Sequence, residues 1–411
     1  MSDDIGAGDA ADHVPDADLD RLVHSADLDG LVRMIDERCG DRDWAGLLRL
    51  RDAARQAVDT GRQLWPAATL AEYRLALHAG PEFVAALLRE WGRGAAIAPI
   101  DLRLKGAERE RAMRALSPTH IVEADGERRS LDGGRAVQAE DAVVIATSGS
   151  TGMPKGVVLS HDAVAASAYL TSARLEVDPG HDRWLCCLPV AHIGGLSVIT
   201  RALLTDTPLT VHDRFDAQRV IDAATNGGVT RVSLVTRALT QVDPALFRTV
   251  LLGGAAPPSD RPTNVIATYG STETGSGVVY ERAALDGVEL RVDEAGELWV
   301  RSPTLLRCYR DGTDPKDAHG WYPTGDSATI EAGVLSVRGR IGDVIVTGGE
   351  KVWPARIEPL IRALPSVADV VVVGRADPEW GHEVVAVIEE RANNGDLAAT
   401  VVIEAIPEKD L

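Results

Sequence analysis

The sequence predicts an α/β protein with a large N-terminal domain of β/α sheets and a small α+β C-terminal domain. Three observations predict it. At 411 residues the chain exceeds the usual size of a single core. Between Asp141 and Thr268, short continuous apolar runs alternate with helical patterns, as expected of buried strands covered by helices. After Gly296 the texture shifts to antiparallel strands, and a boundary near Gly339–Gly342 precedes a last helix-and-strand module. The expected organisation is an acidic leader over 1–20, a large domain over 21–339 and a small mobile domain over 340–411.

Each element has its own local reason. The first 20 residues carry seven Asp and no Lys or Arg, so they cannot bury apolar area and are expected to be a disordered leader. Residues from about Leu19 to Ala79 read as mainly helical. Pro81 to Gly94 is an amphipathic helix, with Phe83, Leu87, Leu88 and Trp91 at helical spacing for core packing. Ala142–Ala146 is a strand buried on both faces. A Gly/Ser/Thr loop follows, then a strand over Gly156–Ser160 and a helix from His161 with Ser160 as its N-cap. Arg231–Val235, Thr249–Leu252 and Asn264–Thr268 are further strands of a largely parallel sheet. Glu297–Val300 and Gly333–Val337 read as antiparallel strands, Ile357–Leu364 as a helix and Ala368–Val373 as a strand. The sequence has no internal repeats.

Composition narrows the function classes. Hydrophobic residues make up 45% and charged residues 26%, which excludes wholesale disorder, collagen and coiled coil. With 62 Asp+Glu against 43 Lys+Arg the net charge is −19, the wrong sign for nucleic acid or an anionic membrane as main partner. Cys39, Cys186, Cys187 and Cys308 lack the paired spacing of a disulfide framework or a zinc site. No basic stretch followed by an apolar run marks a secretory signal. The longest uncharged stretch, Trp184–Thr200, is interrupted by Pro189, His192, Gly194 and Gly195 and is short of the roughly 20 apolar residues that a bilayer span needs. A reduced, cytoplasmic protein is expected.

The most informative run is Thr147-Ser148-Gly149-Ser150-Thr151-Gly152-Met153-Pro154-Lys155-Gly156. Its three glycines admit a close ligand, its four hydroxyls offer donors and Lys155 supplies a cation. Directly after a buried strand, that makes a phosphate cradle. It is not a Walker A loop, because Pro154 stands five residues after Gly149 where that loop has glycine. Nor does it hold the elbow of serine hydrolases.

These ten residues resemble the phosphate loop of the adenylate-forming enzymes: acyl- and aryl-CoA ligases, peptide-synthetase adenylation domains and luciferases. Four further segments resemble that family's motifs, in the same order. Gly253-Gly254-Ala255-Ala256-Pro257 is similar to the adenine-pocket loop, and Tyr269-Gly270-Ser271-Thr272-Glu273-Thr274 to the Tyr-Gly-x-Thr-Glu motif. Trp321-Tyr322-Pro323-Thr324-Gly325-Asp326 is similar to the Thr-Gly-Asp motif. Gly339-Arg340-Ile341-Gly342-Asp343, followed by Gly348-Gly349-Glu350-Lys351-Val352, is similar to the hinge and the start of the small domain. The similarity runs from about Gly80 to Val387.

The resemblance implies ATP, Mg²⁺ and CoA, with adenylation of a carboxylate followed by thioester formation. Ser148–Gly152 and Lys155 would hold the β and γ phosphates, and Thr272 and Glu273 would serve catalysis, Glu273 as the magnesium carboxylate. Tyr269 would face the adenine, Asp326 would take the ribose hydroxyls and Arg340 would add a donor. His192, at a position that lines the acyl pocket in the family, would stand there with Gly194, Thr236 and Ser276. Gly342 would be the hinge, and Gly348, Gly349, Glu350 and Lys351 would meet CoA. Leu188–Leu196, Val232–Thr236, Val250–Pro257 and Tyr280–Val288 resemble the o-succinylbenzoate–CoA ligases of menaquinone biosynthesis. A generic aryl- or medium-chain acyl-CoA ligase would use the same scaffold. Small-molecule partners are therefore expected, a homodimer is compatible, and an adenylation domain loading a separate carrier protein is the weaker reading.

One departure stands out. The family's late lysine lies in a Gly-Lys motif, and no Gly-Lys pair follows Lys351. Ala405-Ile406-Pro407 resembles the stretch before that lysine but arrives early, and Lys409 is not assigned. Two readings stay open: a shortened small domain with slow adenylation, or a truncated or diverged nucleotide-binding pseudoenzyme.

Overall fold

In the computed structural model, residues 73–75, 80–122, 128–147, 153–258, 260–390 and 400–403 are described. The acidic leader, the helical reading up to residue 72, Cys39, the loop residues Ser148–Gly152 and the stretch with Ala405–Pro407 and Lys409 lie outside them.

One seven-stranded sheet runs Cys308–Tyr309, Lys155–Ser160, Asp141–Thr147, Ile97–Pro99, Tyr73–Leu75, His120–Val122, Arg128–Ser130. A second runs Ala283–Ala284, Ser276–Tyr280, Val265–Ser271, Thr249–Gly253, Arg231–Val235, Trp184–Cys186, Leu209–Val211. The largely parallel sheet expected from the sequence is therefore two mixed sheets. Their inner strands are parallel, while Lys155–Ser160 and Ser276–Tyr280 run antiparallel to their predecessors. Connection length explains this: Thr147 to Lys155 and Ser271 to Ser276 are too short for the crossover of a dozen or more residues that parallel pairing requires. Tyr73–Leu75, read as part of a helical stretch, is instead a strand between Ile97–Pro99 and His120–Val122. Two extended neighbours supply a slot that outweighs weak local propensity.

The helix His161–Arg174 starts as expected, with Ser160 Oγ accepting from the Ala163 amide at 3.1 Å. The helix Pro81–Trp91 buries Phe83 and Leu87 completely, but Leu88 falls outside the stripe and is half-exposed. A four-stranded antiparallel sheet, Glu289–Val292, Glu297–Arg301, Tyr322–Glu331 and Val334–Arg340, follows. Beyond it, the helix Pro354–Arg362 begins three residues before the expected start, with proline at its first turn. It belongs to a core of its own, formed by Ile345, Val352, Val367, Val370, Val372, Val384, Ala386 and Ile388. Among the described residues, no helix is long and apolar enough to cross a membrane.

Candidate active site

Three neighbouring parallel strands, Arg231–Val235, Thr249–Gly253 and Val265–Ser271, end along one rim, where open α/β sheets collect ligands. Their register sets Gly253 beside Val235 and Leu252 beside Ala267. The Gly253–Ala256 loop, Thr236 and the Tyr269–Thr274 segment thus emerge together. Gly254 turns the loop with φ +85°, a conformation that favours glycine. Gly270 is required for a different reason: a Cβ there would stand 2.1 Å from the Ser276 carbonyl oxygen, so only glycine lets the strands approach.

The turn that carries Thr272 and Glu273 is stitched by Thr274, whose hydroxyl accepts from the Ser271 amide at 2.8 Å and donates to the Ser276 carbonyl at 2.7 Å. Leu306 N–H holds the Glu273 carbonyl at 2.8 Å. The Glu273 carboxylate accepts from the Tyr309 hydroxyl at 3.4 Å, and the Lys155 ammonium lies 4.6 Å from the centroid of the same Tyr309 ring. Burial, reinforced by Glu273, pushes the Tyr309 phenol up to about 12. Burial also pushes up the Tyr322 phenol, which lies within electrostatic reach of Tyr309 and Glu273. Both are neutral donors at pH 7. Thr147, closing the preceding strand, donates its hydroxyl to the Lys155 carbonyl at 3.4 Å. The structure thus brings Lys155 and Glu273 to Tyr309, with Thr147 bonded to the Lys155 backbone.

A second cluster forms around Asp326. Tyr269 donates its hydroxyl to Asp326 Oδ2 at 2.6 Å, and Arg340 Nε stands 3.1 Å from Oδ1. Arg340 Nη1 also donates to the Thr324 carbonyl at 2.6 Å. Burial raises the Asp326 pKa against the pull of Tyr269 and Arg340, with the carboxylates of Asp343 and Glu273 adding to the rise. The Tyr269 hydroxyl is therefore tied to the acid, and Arg340 is already committed to Asp326 and Thr324. Beside them a cleft of about 220 Å³ is lined by Glu297, Gly325, Arg340, Ile341, Gly342 and Asp343. Gly342 does not use a positive φ here and has open space around it. The Gly348–Gly349 turn has φ +55° and +91°, the pattern of a tight hairpin, with Glu350 and Lys351 exposed.

The acyl-pocket candidates divide. His192 is not a core histidine: it occupies the position before the helix Ile193–Leu204 without a side-chain capping bond, is exposed, and lies 3.7 Å from Asp101 through Nε2. Gly194 is exposed beside it. Thr236 opens the short helix Thr236–Leu239 with its hydroxyl buried and unpartnered. Ser276 donates to Ser197 Oγ at 3.4 Å on the helix Ile193–Leu204.

Sequence reasoning missed Arg201, one turn beyond Ser197 on that helix. Its residue is only 1% exposed, its Nε and Nη1 have no hydrogen-bond partner, and among the described residues no carboxylate pairs with it. It rests 4.7 Å from the Trp184 ring centroid, and burial lowers its pKa. The available signal was a single charge in the apolar run Ile193–Leu204. Tyr309 was missed as well, because it lies between recognised motifs.

No group of three or more His, Cys, Asp or Glu side chains among the described residues could hold a metal by itself. Glu273 instead fits a hard cation that takes one carboxylate and completes its shell with phosphate oxygens.

The profile of the AMP-binding enzyme family matches residues 126–310. A probable 2-succinylbenzoate–CoA ligase of Mycobacterium tuberculosis is 36% identical over 282 residues, covering 62% of this chain and 72% of that protein. A 2-succinylbenzoate–CoA ligase of Bacillus anthracis is 31% identical over 310 residues, covering 66% of this chain and 64% of that one. Among solved structures, o-succinylbenzoate CoA synthetase from Bacillus subtilis in complex with its acyl-adenylate intermediate shares the fold with a TM-score of 0.69 at 24% identity, over 82% of this chain and 81% of that one. Escherichia coli MenE with a bound analogue of OSB-AMS gives 0.64 at 26% identity, over 82% of each chain. Taken with the order and placement of the motif segments, these matches show that the chain belongs to the AMP-binding enzyme family.

Proposed function

We propose that this chain is an ATP-dependent carboxylate–CoA ligase that adenylates o-succinylbenzoate and passes the acyl group to CoA. The observation that carries the substrate is Arg201. A buried guanidinium without a counter-ion is costly, and the second carboxylate of an aromatic dianion would relieve that cost. The names of the relatives agree with this choice.

In the first half-reaction, a carboxylate oxygen bonds to the α-phosphorus and pyrophosphate leaves with the broken P–O bond. Lys155, with the neighbouring Ser148–Gly152 loop, would hold the leaving phosphates. Asp326, oriented by Tyr269 and Arg340, would take the ribose hydroxyls on its remaining lone pairs. Glu273 would hold Mg²⁺, which when bound neutralises phosphate charge. Thr236 and Ser276 would offer hydroxyls along the acyl site. His192, exposed beside Asp101, would stand at its mouth.

In the second half-reaction the CoA sulfur bonds to the acyl carbon and AMP leaves. We take residues 340–411 as the small domain, Gly342 as its hinge and Gly348–Lys351 as the segment that meets CoA. Free CoA rather than a carrier protein is the acceptor in this reading, and the compartment is the cytoplasm.

The test is incubation with MgATP, CoA and a panel of acids including o-succinylbenzoate, with acyl-AMP and acyl-CoA scored separately by mass spectrometry. A CoA thioester from o-succinylbenzoate supports the proposal. A thioester from monocarboxylates alone would move the assignment to a general acyl-CoA ligase. Nucleotide binding with neither product would favour the pseudoenzyme reading.

A further inference from the structure

Lys155 and Glu273 carry opposite charges and meet the same side chain, yet no ion pair joins them. Tyr309 contacts both, taking the ammonium on its ring face and the carboxylate through its hydroxyl. We propose that Tyr309 is a positioning residue that keeps Lys155 and Glu273 from neutralising each other, leaving the cation for the phosphates of ATP and the carboxylate for the metal. This rests on the roles given to those two residues above.

The ring is held where such a spacer must be. Cys308–Tyr309 pairs antiparallel with Val157–Val158, so its backbone is fixed to the strand that begins at Lys155. Leu306 N–H holds the Glu273 carbonyl at 2.8 Å and Arg307 N–H the Val158 carbonyl at 2.8 Å, tying one segment to both sides of the site. Arg307 adds a two-pronged bond to the fully buried Asp141, at 2.7 and 2.9 Å. Lys316 donates to the carbonyls of Leu306 and Arg307 at 2.8 and 2.9 Å. With the backbone fixed this way, the ring face stays against the Lys155 ammonium and the hydroxyl stays directed at Glu273. The ring, more than its hydroxyl, is therefore the working part, because the hydroxyl contact is long at 3.4 Å.

The experiment compares Tyr309→Phe with Tyr309→Met in the full-length protein. MgATP affinity is read by calorimetry, its magnesium dependence is measured in the same titrations, and KM for ATP is measured beside kcat. Phenylalanine keeps the π face and should weaken MgATP binding no more than about fivefold. Methionine removes the face and should weaken it by about tenfold or more, shift half-saturation to higher magnesium, and raise KM more than it lowers kcat. Equal losses in both variants, or no loss in methionine, would overturn the proposal. If Tyr309→Met does not fold, a loss of thirtyfold in Tyr309→Phe still overturns it, and a loss under fivefold supports it. Lys155→Met and Glu273→Gln serve as controls. If they bind MgATP normally, the assigned roles themselves fail; if they lose it while the Tyr309 variants behave alike, only the spacer fails.

Discussion

Replacing Arg201 by Met separates substrate recognition from structure, because the two roles predict opposite changes in stability. Methionine has a similar length and no charge. In the ligand-free protein the exchange removes a guanidinium that is 1% exposed and has no counter-ion among the described residues. It forfeits the cation–π contact with Trp184 at 4.7 Å, worth about 0.5 to 2 kcal/mol. Against this, replacing a buried ionic group with an apolar one of similar volume is neutral or stabilising by roughly 1 to 4 kcal/mol. The unfolding midpoint should therefore hold or rise. With the dicarboxylate bound, the variant would lack one partner of a buried ion pair, a loss of about 3 to 5 kcal/mol. That corresponds to a fall in kcat/KM of about 10² to 5 × 10³. An aromatic monocarboxylate with no second charge should change by less than about tenfold. The assay is thermal unfolding of the free protein together with kcat/KM for both acids. A variant that melts lower and loses both substrates equally would show Arg201 to be a structural residue and refute the reasoning.

Other changes follow from the same geometry. Asp326→Asn keeps the shape but removes the charge, and each hydrogen bond to a charged acceptor is worth about 1.5 to 3 kcal/mol, so AMP affinity measured by calorimetry should fall roughly 10- to 100-fold. Because burial raises the Asp326 pKa, acidification protonates it at a higher pH than an ordinary aspartate, and AMP affinity should fall on the acid side accordingly. Tyr269→Phe removes a bond that favours the ionised form and should move that fall to still higher pH; an unmoved titration would refute the coupling. By linkage, a native pKa above the unfolded one means that ionised Asp326 opposes folding, so its contribution becomes less unfavourable as pH falls through the raised value. Gly270→Ala places a Cβ 2.1 Å from the Ser276 carbonyl oxygen and should cost about 3 kcal/mol or more in denaturant unfolding.

The segments legible in the sequence are those whose function is carried by backbone shape and local order. Gly253–Gly254 and Tyr269–Glu273 stand at or beside strand ends, where a loop can meet a ligand, and short apolar runs mark the strands behind them, whereas Thr324–Asp326 lies within the strand Tyr322–Glu331. What stayed hidden depends on pairing between distant stretches. Tyr309 enters the site because Cys308–Tyr309 pairs with Val157–Val158, and no local pattern announces a two-residue strand. Tyr73–Leu75 is a strand only because its neighbours leave a slot. Arg201 was visible as an anomaly, a charge in an apolar helix, but its meaning lies in Trp184, on another element.

Asp326 and Arg340 show how the two kinds of information meet. The sequence presents them in separate motifs with separate roles. In the fold they stand directly opposite on antiparallel strands, joined by a turn at Ala332 and Gly333 with φ +50° and +79°. The distance between the motifs is therefore a register, set by the turn and by the irregularity near Ser327–Ala328. A one-residue slip would send Arg340 to the other face of the sheet and leave Asp326 without its cation. The motif spacing is thus constrained by an ion pair as well as by the nucleotide contacts proposed for Asp326. The same arginine lines the cleft with Gly342, so the proposed nucleotide site and the proposed hinge share one side chain.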